Sequence, residues 1–72
     1  MIEIKPTQKQ VLKVLLENKN TWLTDIQIRD KSGLNYSHVK TALKKFMDND
    51  YVFFDGNKSF QISPDGESAY LS

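Results

Sequence analysis

Apolar positions along the chain alternate between a helical and a strand-like rhythm, and that alternation predicts the elements. Val11, Leu12, Leu15 and Leu16 form one stripe at helical spacing, with Lys9, Lys13 and Glu17 on the wet face, so a helix is expected over about 7–18. Thr7 and Gln10 have the spacing of a capping box, and Asn18-Lys19-Asn20 ends the element. Thr21-Trp22-Leu23 reads as a brief extended piece. A second, short helix is expected over about 24–32. Thr24 and Gln27 form its capping box, Asp25 lies in the first turn, and Gly33 supplies a left-handed stop. Leu34 then plugs inward, and Asn35 is placed to cap a third helix over about 36–48. In that helix Val39, Leu43 and Phe46 share one face, flanked by Ala42 and Met47. Asp50 falls beyond its end, in an exit for which Asn and Asp tolerate left-handed backbone.

The period then changes to that of strands. Tyr51–Phe54 and Lys58–Ile62 flank Asp55-Gly56-Asn57, a hairpin signal, so a two-stranded wing is expected over about 51–62. With Gly56-Asn57 as a two-residue turn, Phe53 would face Phe60 and Tyr51 would face Ile62 on the buried side. Val52 and Phe54 would then lie on the other side, opposite Gln61 and Ser59. Ser63-Pro64 is a cap followed by proline at the first helical position, opening a terminal helix over about 64–71. At the other end, Ile2 and Ile4 alternate in what is either a ragged arm or a short strand.

Composition narrows the functional classes. Seventy-two residues fit a single domain, 1–72, with a modest core. The absence of cysteine excludes disulfides and thiolate metal sites, and one histidine excludes a His-rich metal cluster. No apolar run approaches the roughly 20 residues of a membrane span, and no signal-peptide pattern opens the chain, so no membrane association and a cytoplasmic setting are expected. Net charge is only +1, but it is unevenly distributed. Residues 36–46 carry three lysines and no acid, whereas residues 47–72 carry five acids and one lysine. The outward face of the third helix is therefore positive, slim and hydroxyl-bearing. Ser37, Thr41 and Lys44 project from it, with Lys40 on one shoulder and His38 and Lys45 on the other.

Two helices joined by a glycine-containing turn, then a hairpin and a short helix, resemble a winged helix-turn-helix domain. The residues carrying the likeness are Thr24, Ile28, Gly33, Leu34, Val39, Leu43 and Phe46, followed by Asp50-Tyr51-Val52. They fall where MarR-like and PadR-like regulators place the capping threonine, the turn glycine and its plug, the core of helix 3 and the exit into the wing. Ile62-Ser63-Pro64-Asp65-Gly66 is similar to the Leu-Thr-x-x-Gly segment after the wing in those families. Two positions depart from the pattern: Arg29 stands where a small residue is usual, and Asp50 where glycine is. Arg29 is accommodated if its stem lies across the helix pair and its head reaches solvent.

The resemblance implies a small α+β fold with a three-helix core, a short strand, a two-stranded wing and a terminal helix. It implies sequence-specific binding of double-stranded DNA by a transcription regulator, with helix 3 in the major groove. Tyr36, Ser37, Lys40, Thr41 and Lys44 would face the groove, and His38 and Lys45 the flanking backbone. Asn57 and Lys58 of the wing would touch the adjacent minor groove or phosphate. Thr24 and Gln27 would present N–H groups to a phosphate. A homodimer reading paired half-sites is one possible assembly. The competing expectation is a protein–protein interaction module, or a homodimerising accessory factor, that uses a Val52/Phe54 surface. No cofactor and no enzymatic activity are expected: Ser37 and His38 are adjacent on a helix and do not face each other, and no carboxylate at suitable spacing orients the imidazole.

Overall fold

The computed structural model describes residues 3–72. The chain runs α1 (Pro6–Glu17), β1 (Leu23–Thr24), α2 (Asp25–Ser32), α3 (Tyr36–Asp48), β2 (Val52–Phe54), β3 (Ser59–Ile62) and α4 (Pro64–Leu71). It is an α+β winged helix-turn-helix, with three helices packed on a small antiparallel sheet of order β1-β3-β2. One apolar cluster joins these layers. Val11, Leu12 and Leu15 of α1, Ile28 of α2, and Val39, Leu43 and Phe46 of α3 meet Leu23, Val52, Phe60 and Ile62 of the sheet. Phe46 is fully buried, and burial of such a ring contributes about 1.5–3 kcal/mol relative to exposure. Leu34 is half-buried against the same cluster.

Local capping explains most boundaries. At α2 the Thr24 Oγ1 accepts from the Gln27 N–H at 3.1 Å, and Gln27 Oε1 accepts from the Thr24 N–H at 2.9 Å. Gly33 closes the helix at φ +74°, in the left-handed region where glycine carries no Cβ penalty. Asp50 is likewise left-handed at φ +58°, outside α3, as its position predicted. Ser63 Oγ accepts from the Gly66 N–H at the start of α4 and donates to the Asp50 carbonyl, tying the exit of α3 to the entry of α4. Arg29 is half-buried, and its guanidinium pairs with Asp30 at 3.0 Å.

Two caps differ from expectation. Helix α1 starts at Pro6, with Lys5 in the N-cap position and Gln8 Oε1 accepting the Lys5 N–H at 3.0 Å, so Thr7 and Gln10 form no box. Proline at the first position lacks the N–H that would otherwise need a partner, which favours this earlier start. Asn35 occupies the N-cap of α3, but its side chain makes no capping bond. Residues 3–5 form no strand, and Ile2 lies outside the described residues.

The wing register also differs, by one residue. Val52 pairs with Ile62, Phe53 with Gln61 and Phe54 with Phe60. The Asp55 N–H donates to the Ser59 carbonyl at 3.1 Å, so the loop holds three residues, Gly56 to Lys58. The Asp55 carboxylate holds that loop, accepting from the Asn57 N–H at 2.8 Å and the Ser59 N–H at 3.1 Å. The slip exchanges the two faces of β2. Val52 is buried at 6 % exposure, and Phe53 is outside at 49 %. Phe54 shares the core side with Phe60, their rings stacked 5.0 Å apart, yet remains 40 % exposed at the rim. The expected Val52/Phe54 surface is therefore not a surface at Val52. The exposed aromatics of this region are Phe53, Phe54 and Trp22, which immediately precedes β1.

Candidate nucleic-acid interface

Helix α3 buries Val39, Ala42, Leu43 and Phe46 and turns its remaining face to solvent. Ser37, His38, Lys40, Thr41 and Lys44 are all exposed there. Among the described residues neither Lys40 nor Lys44 is in an ion pair. Thr41 Oγ1 donates to the Ser37 carbonyl at 2.9 Å, so its acceptor capacity is left unused among the described residues. The face thus offers two ammonium groups and two hydroxyls on a helix narrow enough for a major groove.

Tyr36 is tied down. Its hydroxyl donates to Asp25 Oδ2 at 2.6 Å, linking the first turn of α3 to the first turn of α2. That hydrogen bond, reinforced by partial desolvation and the Asp25 charge and opposed by Arg29, raises the phenol above its ordinary pKa. Lys40 Nζ sits 5.6 Å from the Tyr36 ring centroid, a cation–π contact that directs the ammonium along the helix surface. Asp25, Lys40, Lys44, Leu43, Met47 and Phe60 line a hollow of about 190 Å³ between α3 and the sheet. Asp25 is the participant that sequence reasoning missed. It read as a first-turn acid, and nothing in its spacing signals a partner eleven residues away.

The other expected contacts lie in three places. Asn57 and Lys58 are exposed at the wing tip, beside the Asp55 carboxylate, whose pKa is lowered chiefly by the Asn57 N–H and next by the Ser59 N–H. Thr24 and Gln27 are engaged in their reciprocal cap, and the Ile26 N–H donates to Asp25 Oδ1 at 2.8 Å. Several N–H groups at the start of α2 therefore already have acceptors. Lys45 is half-buried, and its ammonium donates to the Glu3 carbonyl and to Gln8 Oε1. It joins α3 to the start of α1. Next to this strut, Lys5, Thr7 and Gln8 share a hollow of about 230 Å³ with His38 and Thr41. Among the described residues, no group of three or more His, Asp or Glu side chains is placed to hold a metal ion.

No protein-family model matches the chain, and no curated protein matches it in sequence. A solved structure does match in shape. BpsR of Bordetella bronchiseptica, whose DNA binding is regulated by 6-hydroxynicotinic acid, superposes with a TM-score of 0.80 at 13 % identity. The match covers 96 % of this chain and 51 % of BpsR, so the chain spans about half the length of that protein. At this identity the likeness is one of fold. No helix among the described residues is long and apolar enough to cross a membrane.

Proposed function

We propose that this protein is a sequence-specific double-stranded DNA-binding regulator of transcription. Its α3 enters the major groove, and the wing lies on the adjacent backbone or minor groove. The observation carrying this reading is the outer face of α3, with Ser37, Lys40, Thr41 and Lys44 exposed along it and neither lysine in an ion pair among the described residues. The shared fold with BpsR, a protein that binds DNA, supports it. Lys40 and Lys44 donate to guanine edges or phosphates, and Ser37 and Thr41 contact either. Tyr36 sets the angle between α2 and α3, while Asn57 and Lys58 touch the neighbouring strand.

The test is selection from a random duplex pool at two salt concentrations, followed by sequencing of the bound fraction. Enrichment of a motif is the expected result, and a palindromic motif would report a dimer. Salt-sensitive retention without a motif would replace sequence-specific regulation with an architectural role, and no retention at low salt would overturn DNA binding altogether.

A second reading rests on the exposed Phe53 and Trp22, which suit a partner protein or a second copy of the chain. Phe53→Ser would then change the sedimentation profile while leaving duplex binding by monomers intact.

A further inference from the structure

We infer that the start of α1 carries a second phosphate-contact site, formed by Lys5, Thr7 and His38 at the flank of α3. This rests on the DNA-binding reading and extends it to an element that the helix-turn-helix unit does not include. Three observations place the site. Lys5, Thr7 and Gln8 of the α1 entry line one hollow with His38 and Thr41 of α3, so side chains thirty residues apart converge on a single concavity. The donors are uncommitted: among the described residues the Thr7 hydroxyl and the His38 ring have no hydrogen-bond partner, and the Lys5 ammonium is in no ion pair. No carboxylate lines the hollow. An ammonium, a hydroxyl and an imidazole N–H around a cavity without an acid form a donor set for an anion, and Thr41 is shared with the groove-facing surface.

The hollow is also held in shape. Gln8 Oε1 accepts from the Lys5 N–H at 3.0 Å and from Lys45 Nζ at 3.1 Å. Lys45 also donates to the Glu3 carbonyl. One lysine of α3 thereby holds both the Glu3 carbonyl and the Gln8 side chain that caps the Lys5 N–H. Lys45 is a positioning residue here: its charge is spent on the α1 entry, and Lys5 presents the ammonium toward the duplex. A backbone phosphate one step outside the major-groove contact is the occupant that fits, because the donors flank the recognition face.

The experiment measures duplex affinity against salt for the wild type and for Lys5→Ala, Lys45→Met and Lys44→Ala, with phosphate-ethylation interference on the selected duplex. Lys5 is exposed and outside the core, so Lys5→Ala is expected to fold normally. The expected result is a salt slope for Lys5→Ala lower by about 0.9, with an unchanged sequence motif. One flanking phosphate whose ethylation weakens the wild type would have no effect on Lys5→Ala. Lys45→Met, which keeps the stem and loses the donor, would weaken the same phosphate contact without removing the Lys5 charge. If Lys44→Ala lowers the slope and Lys5→Ala leaves both slope and interference pattern unchanged, the flank site is overturned and the groove reading stands. If the wild type binds no duplex, the groove reading fails and this inference fails with it.

Discussion

Helix α3 and strand β2 are neighbours in sequence and share the core, yet their side chains were not equally legible. In α3, thirteen residues carry Val39, Leu43 and Phe46 at spacings that only one helical phase can bury, with Ala42 beside them and mostly polar residues on the other positions. In β2, the stretch Tyr51-Val52-Phe53-Phe54 is apolar at every position, so a period of two has no preferred phase. The choice falls to the ends of the strand. At one end, Asp50 leaves α3 in a left-handed conformation, and the Tyr51 N–H donates to the Phe46 carbonyl at 2.8 Å. At the other, Asp55 gathers the Asn57 and Ser59 N–H groups around a loop one residue longer than the minimal turn. A helix carries its own phase; a short strand takes its phase from what it is joined to.

The contrast is sharpest for two phenylalanines seven residues apart. Phe46→Ala removes a fully buried ring and is expected to cost about 3–5 kcal/mol, read as a lower denaturation midpoint. Phe53→Ala, on the outer face of the wing, is expected to stay within about 0.5 kcal/mol. A large loss at Phe53 would restore the two-residue turn and the opposite strand face.

Gly66 tests the junction that sets the wing. A Cβ there would lie 2.1 Å from the Tyr51 carbonyl oxygen, and that carbonyl also accepts the Ser63 N–H at 3.0 Å. Gly66→Ala must push α4 off the start of β2, so a loss of about 1–3 kcal/mol is expected in thermal or urea unfolding. A neutral effect would mean that α4 does not brace this strand.

Thr24→Ala removes the α2 cap, and about 1 kcal/mol is expected from urea titration. Because α2 carries Asp25 and hence the anchor of Tyr36, the same variant should broaden the Tyr36 ring signals. Sharp, unshifted Tyr36 resonances would separate the two helix starts.

The smallest effect is expected at the wing tip. The Asp55 pKa is below its ordinary value of 3.8 because N–H donors favour the carboxylate. A depressed pKa gives stability that is present above the unfolded value and lost as pH falls through the folded one. The amide shifts of Asn57 and Ser59 should therefore hold through mildly acidic pH and titrate with a midpoint below 3.8. A midpoint at or above that value would show that the loop is not held by Asp55.

The sequence alone determined the order of helices and hairpin, the Thr24–Gln27 box, the Gly33 stop, the left-handed exit near Asp50 and the chemistry on the outside of α3. These are local: caps act over three residues, stop signals over one, and helical periodicity over four. Tertiary structure decided the wing register, the bond from Tyr36 to Asp25, the inward turn of Lys45 and the hollow that gathers Lys5, Thr7 and His38. The register turned on the strand's two ends, and the other three depend on partners far apart in the chain, eleven residues for Tyr36–Asp25 and thirty-seven for Lys45–Gln8. A lysine on a helix shoulder has the same sequence signature whether its ammonium reaches solvent or a carbonyl of another element, and only the packing of α1 against α3 supplies that carbonyl.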